Sequence, residues 1–580
     1  MLRLFGFLKP HKGLLIALII VNVLLSGMLT IAPLVTKAIV DDVIDGHQLD
    51  LLLPYLGFLL AVTAVRAATT YFYSYGQNKM GQLVMSDVRG ALYRKLLALP
   101  YNFYDREQTG RLMSRVSSDV ESTRIFLSQI LIESMSHMLT IILSFIAFLQ
   151  QDVQLALFAI VPVLMSGVGM FWAHRAMRQP WTTQHDLLAK LSATLQDSLS
   201  GIKVVKAFAQ EAQEMGKFLG VDTDVRAGFL TIGDMWIKRW IIIGSLPRFM
   251  QLGLILFGGY RVMDGEISIG TLVAILSLSM LLLGAVNGLG TQFNAFSQTA
   301  TAAVRIFELL DEPVTIASPP QSKTASETID WKGEIEYRGV NFIYPTSKAK
   351  TLTDINLSIP SGSSLAVVGA TGSGKSTLIH LIGRFYDPSS GQVLVDGRDV
   401  RTLNLTELRR QIGMVAQDAL LFSATIAENI AFGRPEASQE QIERAAKLAQ
   451  AHDFIINMPE GYKTKIGERG TGLSGGQRQR VAIARAILLD PKILILDDSM
   501  SAVDAETEKL LRSAIRSVMQ GRTTILIAHR MSTVQQADRI IVLRDGEIVE
   551  QGSHDELATG SGYYQTVLEM QRMSADEGLK

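Results

Sequence analysis

The sequence predicts two unlike halves. Residues 1–312 read as an all-α six-helix transmembrane domain with long cytoplasmic helical arms. After a linker at 313–330, residues 331–580 read as an α/β P-loop domain. Three observations predict this. Long apolar stretches crowd roughly the first 300 residues, and the remainder has the make-up of an ordinary soluble α/β protein. Residues 369–376 read Gly-Ala-Thr-Gly-Ser-Gly-Lys-Ser, the pattern of a phosphate-binding loop. Residues 473–477 read Leu-Ser-Gly-Gly-Gln, a second glycine turn that opens a helix.

Composition bounds the answer. A chain of 580 residues suggests several domains. Charged residues are 19%, below the usual quarter, and mean hydropathy is +0.23. Net charge is zero, so nothing points to a nucleic-acid partner. The absence of cysteine excludes a disulfide framework, a thiolate metal site and a thiol nucleophile.

Residues 1–12 are short, basic and amphipathic, with Arg3, Lys9 and Lys12. No small-residue cleavage site follows the apolar run, so this segment is expected to be an interfacial helix leading into the first span. Six spans are expected near 13–40, 51–75, 129–149, 152–174, 240–263 and 270–296. The connections at 41–50, 150–151 and 264–270 carry no Lys or Arg. Those at 76–128 and 175–239 carry many, including Lys79, Arg89, Arg115, Lys203 and Lys217. The positive-inside rule therefore places the long segments and both termini in the cytoplasm of a multi-pass protein of the cell (plasma or inner) membrane. Each long segment has helical composition. About 25 residues per arm reach roughly 37 Å, with tips at Asn102–Gly110 and Ala207–Glu214. Arg66, Arg239 and Arg248 lie in or beside spans. A structural or snorkelling role is the expectation for them, with a substrate role for Arg248 as the alternative.

The sixth span is expected to continue as a helix to about Leu310, where Asp311-Glu312-Pro313 breaks it. Thr315–Thr328 reads as a surface linker, and a new domain starts near Trp331. Within it, Leu365–Val368 is a buried strand by its apolar run. Gly369, Gly372 and Gly374 let the backbone curl so that successive N–H groups face one anion. A helix starting near Lys375 adds positive potential at its N-terminus. Lys375 is placed to reach β- and γ-phosphates, and the Ser376 hydroxyl to ligate Mg²⁺. The Ser474-Gly475-Gly476 turn, opening a helix over 477–487, is a second anion-binding helix end.

These motifs carry a family resemblance. Nearly the whole chain resembles a half-size ATP-binding cassette exporter, six spans followed by one ATPase domain, in the P-loop ATPase class. The resemblance implies ATP and Mg²⁺ as cofactors. It implies nucleotide contacts at Gly369, Thr371, Gly372, Ser373, Gly374, Lys375, Ser376 and Thr377, with the ring of Tyr344 lying on the adenine. It implies metal contacts at Ser376, Gln417 and Asp497, with Asp497 ending an apolar strand over 493–497. Catalytic roles fall on Asp498, Gln417 and the switch residue His529. Gly467–Gly470 resembles a loop that senses the arms, and Ser501–Asp504 a loop at a dimer interface. Leu473–Gln477 is the family signature. It implies a dimer in which Ser474, Gly475, Gly476 and Gln477 close over ATP held by the opposite chain. Tyr104 and Phe208, at the arm tips, are expected to dock beside Gln417 and Glu468.

One position departs from the family pattern. Active members place a glutamate after the magnesium aspartate, and here the pair is Asp497-Asp498. The shorter side chain reads as a weakened hydrolytic site, which favours a second, non-identical half-transporter as partner over a homodimer. The expected function is ATP-driven export of an amphipathic drug, lipid or peptide across the bilayer. The alternatives are a homodimeric exporter that tolerates the aspartate, and an ATP-gated channel or regulator. A soluble ATPase of chromatin type would share the signature but not the six spans.

Overall fold

The computed structural model describes residues 2–319, 329–347, 349–467, 470–497, 505–528 and 531–577. The chain divides into two compact units: residues 1–97 with 110–312, and residues 98–109 with 313–580.

The first unit is helical. Its main helices are α1 (Lys12–Ala38), α2 (Leu52–Ala98), α3 (Leu131–Gln151), α4 (Val153–Ser200), α5 (Glu211–Met263) and α6 (Ile269–Asp311). Among the described residues six helical stretches are long and apolar enough to cross a bilayer: Arg3–Asp45, Leu49–Ala98, Thr109–Gln151, Val153–Ser200, Glu211–Met263 and Ile269–Gln292. Exposed Leu53, Leu60, Trp172 and Leu256 are the side chains such spans turn towards lipid. Phe148, Leu155, Met250, Leu254, Ile275 and Leu278 form a buried core between α3, α4, α5 and α6.

Polar side chains set the helix ends. Asp152 separates α3 from α4 in an extended conformation, and its carboxylate accepts from the Leu155 N–H at 2.8 Å. The same carboxylate pairs with Arg261 at 2.6 Å. Ser268 caps α6, accepting from the Thr271 N–H at 3.0 Å. The third stretch is not one regular helix. Single π-helical turns at Arg115–Asp119 and Phe126–Ile130 interrupt it.

The N-terminal segment is helical and leads directly into α1. Leu2–His11 is a 3₁₀ helix with Leu4 and Leu8 buried. Arg3 donates to Asp311 at the end of α6, at 2.8 Å from Nη2, and lies over the Phe307 ring at 4.2 Å. The pairing partner is some 300 residues away in sequence, which local amphipathicity cannot indicate.

The second unit contains two sheets. The smaller is antiparallel, in the order β2 (Leu352–Ile359), β1 (Ile335–Phe342), β4 (Ser390–Val395), β5 (Arg398–Asp399). The larger runs β10 (Glu547–Gly552), β9 (Arg539–Arg544), β3 (Ser364–Val368), β8 (Thr523–Ile527), β7 (Ile493–Asp497), β6 (Ile412–Val415). It is parallel except for β10. Strand β3 lies between β9 and β8 and is buried along its whole length, as its unbroken apolar run predicts. The start of the linker is not bare surface. Ile316 is buried, Ala317 O accepts from Arg384 at 3.1 Å, and Ser318 Oγ accepts from the Leu405 N–H at 3.1 Å. The rest of the linker, 320–328, lies outside the described residues.

Candidate nucleotide site

The phosphate loop joins β3 to helix α7 (Lys375–Ile382). Its glycines are needed where they stand. Gly372 and Gly374 have φ of +83° and +102°, a region side chains rarely occupy. A Cβ on Gly369 would collide with the carbonyl oxygen of Leu543 on β9. A Cβ on Gly374 would approach Thr351 O to 2.7 Å. The loop is thus pressed between neighbouring backbones, and Ala370, Thr371 and Gly372 remain exposed at its crest.

Lys375 is buried, and its ammonium donates to the carbonyls of Gly369 and Ala370, each at 2.8 Å. The loop therefore wraps its own lysine, which holds the cation at the loop's concave side. Ser373 Oγ is buried without a hydrogen-bond partner, a hydroxyl free to donate to an anion in the loop. Ser376 Oγ donates to Asp497 Oδ2 at 3.3 Å, bringing together two expected metal ligands from α7 and the end of β7. Hydroxyl and carboxylate oxygens suit a hard cation such as Mg²⁺. Gln417, the third, is exposed two residues past β6.

Tyr344 is half-buried, and its hydroxyl shares a 2.9 Å hydrogen bond with Thr377. Burial pushes its phenol above the ordinary value, so the ring is neutral at physiological pH. Its edge contacts with Phe342 at 4.8 Å and Tyr386 at 5.3 Å fix the plane offered to a base.

The signature opens helix α8 (Gly475–Leu488). Ser474 and Gln477 form a reciprocal cap. Ser474 Oγ accepts from the Gln477 N–H at 3.2 Å, and Gln477 Oε1 accepts from the Ser474 N–H at 2.9 Å. The turn is thereby preorganised, with the remaining N–H groups of the first turn aimed along the helix axis. Gln479 Nε2 reaches Ala416 O, next to Gln417, at 3.5 Å. Asp498, His529, Glu468 and the Ser501–Asp504 loop lie outside the described residues.

Within the second unit the arm-tip segment docks a ring that the sequence did not single out, Tyr101. It stacks on Phe385 at 4.6 Å with 14° between planes, and Tyr386 donates to Asp105 at 2.8 Å. Tyr104 is exposed and packs edge-on against Phe103. Pro100 precedes the short Tyr101–Tyr104 helix in an extended conformation and so selects Tyr101 as its first residue. At the other tip Phe208 is 72% exposed. The signal missed in the sequence was the Phe385-Tyr386 pair after α7, an aromatic dipeptide with no role of its own in the loop.

Comparison with known proteins agrees with this geometry. Residues 15–286 match the family described as ABC transporter transmembrane region, and residues 352–501 the family described as ABC transporter. This chain belongs to the ABC transporter family. It is a half-transporter of the exporter type, a multi-pass membrane protein with a cytoplasmic ATPase domain whose activity is coupled to transport. This ABC transporter is 37% identical to a putative multidrug export ATP-binding/permease protein of Staphylococcus aureus, over 98% of this chain and 100% of that protein. It is 34% identical to the putative multidrug export ATP-binding/permease protein YgaD of Bacillus subtilis, over 99% and 100%. It is also 34% identical to an uncharacterized ABC transporter ATP-binding protein, YknU, of the same organism, over 98% and 97%.

Proposed function

We propose that this ABC transporter exports amphipathic molecules as half of a dimer, with a non-identical half-transporter as its partner. The observation that carries the reading is the presence on one chain of two prepared anion-binding ends, the loop around Lys375 and the capped turn at Ser474. One ATP between two chains uses one end from each. The names of the relatives in Staphylococcus aureus and Bacillus subtilis support a multidrug substrate class.

In this reading Lys375 neutralises the β- and γ-phosphates, and the loop N–H groups with Ser373 and Thr371 orient them. Tyr344 stacks on the adenine. Ser376, Asp497 and Gln417 would hold Mg²⁺, which would supply charge neutralisation at the reacting phosphate. Asp498 orients the attacking water, and His529 contacts the γ-phosphate side. Closure of the two ATPase domains then moves the segment 98–109, which is continuous in the chain with α2, and so biases the spans between inward-open and outward-open arrangements.

The test is ATP-dependent accumulation of a fluorescent amphipathic dye in inside-out vesicles. Lys375→Ala removes a charge-assisted phosphate contact. Accumulation should be abolished while membrane insertion persists. Normal accumulation by that variant would refute the reading.

A further inference from the structure

Of the six apolar spans read from the sequence at 13–40, 51–75, 129–149, 152–174, 240–263 and 270–296, only the third carries an acidic residue in its interior, Glu133; Asp152 stands at the edge of the fourth. Three carboxylates elsewhere on these helices are paired with arginines. Asp152 pairs with Arg261, Asp119 with Arg305 and Glu121 with Arg124. Glu133 is exposed, and among the described residues no Lys or Arg is paired with it. An uncompensated charge at membrane depth is costly and marks a site by default.

Its surroundings are built. Gln292 of α6 donates through Nε2 to Glu133 Oε2 at 3.2 Å. The orientation of that amide is set, because Ser134 Oγ donates to Gln292 Oε1. One turn further along α3, His137 occupies space that Gly288 of α6 leaves open, since a Cβ there would collide with the imidazole ring. One turn beyond Gln292, Phe296 is 48% exposed, and its ring is held edge-on by Phe126 at 5.4 Å. An oriented carboxylate, an amide that fixes it and a positioned aromatic face share one patch of the membrane unit. That combination recognises a cation with an apolar body. The carboxylate supplies charge complementarity and the ring supplies apolar and cation–π contact.

We infer that Glu133 is the charge-recognition residue of a substrate site formed by α3 and α6, and that the site selects amphipathic organic cations over anions of the same shape. The inference rests on the exporter reading and names its substrate class. An amide at position 133 keeps the shape and removes the charge, so Glu133→Gln isolates the contribution of the carboxylate.

The test is equilibrium binding to the purified full chain in lipid nanodiscs. The probes are tetraphenylphosphonium and tetraphenylborate, a cation and an anion of nearly equal size. Wild-type protein should prefer the cation. Glu133→Gln should weaken cation binding about tenfold and leave anion binding equal or stronger. Glu133→Asp should keep the preference, which guards against a fold defect, as does an unchanged gel-filtration profile. Equal cation binding by wild type and Glu133→Gln overturns the inference. Equal loss of both ions in a monodisperse variant also overturns it, because the role would then be structural. If sealed vesicles show no ATP-dependent accumulation of either probe, the exporter reading fails, and the nanodisc binding still decides the role of Glu133.

Discussion

Tyr386 donates its hydroxyl hydrogen to Asp105 Oδ2 at 2.8 Å, across 281 positions of sequence. The same ring lies edge-on to Tyr344 at 5.3 Å, and Tyr344 in turn bonds Thr377 of the nucleotide loop helix. Burial, with Asp105 as hydrogen-bond acceptor, holds the Tyr386 phenol well above its ordinary value. One aromatic cluster therefore touches both the expected adenine platform and the segment that continues α2. In the proposed function, this cluster is where nucleotide occupancy would be coupled to the spans.

The first prediction concerns the stacked aromatic residue of this segment. Tyr101→Ala removes the stack on Phe385, worth about 0.5–1.5 kcal/mol beyond its buried area. Transport should fall several-fold more than basal ATP turnover. Paired rates of dye accumulation and phosphate release for this variant and wild type decide the matter. A proportional fall in the two rates for Tyr101→Ala would remove the coupling role.

The sequence displayed the loop and the signature because their constraints are local. Gly372 and Gly374 must tolerate positive φ, and Ser474 with Gln477 has the spacing of a capping box. The strands β3 and β7 were legible from unbroken apolar runs. Contacts between distant segments were not. Nothing near Tyr101 says that Phe385 will meet it, and nothing near Arg3 names Asp311. In the spans, the isolation of Glu133 among apolar residues is legible in the sequence, whereas its contact with Gln292 of α6 is not. Arg239 proved to be engaged structurally, donating to Met235 O at 3.2 Å.

A second prediction concerns pH. His380 of α7 is half-buried beside Tyr101 and Phe385, and its Nδ1 is buried without a partner. Burial lowers its pKa below 6.5. The unfolded chain then binds more protons than the folded one between the two values, so this contribution to stability is present above pH 6.5 and is lost as pH falls through the folded pKa. The thermal midpoint of the full chain should drop on acidification through that window, and less so for His380→Phe. Equal acid sensitivity of the two proteins would assign the effect elsewhere.

The third prediction distinguishes the two uses of Ser474. As a helix cap it accepts from the Gln477 N–H, and loss of such a cap costs about 1 kcal/mol. As part of the signature it would face a phosphate. Ser474→Asp keeps a good cap and adds a negative charge. Thermal stability should stay near wild type while ATP turnover collapses. Ser474→Ala should lower both. An aspartate variant with normal turnover would leave Ser474 as a cap alone.

The last prediction addresses Asp498, which lies outside the described residues but directly follows Asp497 at the end of β7. Asp497 is tied to Ser376 at 3.3 Å, so the chain enters position 498 from a fixed point. The chemistry there needs a carboxylate within hydrogen-bond reach of water in line with the γ-phosphate. An aspartate falls short of a glutamate by about one C–C bond, roughly 1.5 Å. Misplacement on that scale costs on the order of a hundredfold in rate. The site should therefore bind ATP and turn it over slowly. Asp498→Glu should raise turnover of the purified chain, and Asp498→Asn should change it little. In a heterodimer, disabling the partner's catalytic carboxylate should nearly abolish turnover. The measurement is steady-state phosphate release from this chain alone and together with a co-purified half-transporter. A robust, substrate-stimulated ATPase from this chain alone, lost in Asp498→Asn, would establish a competent homodimer, because only a working carboxylate at 498 could then be activating the water.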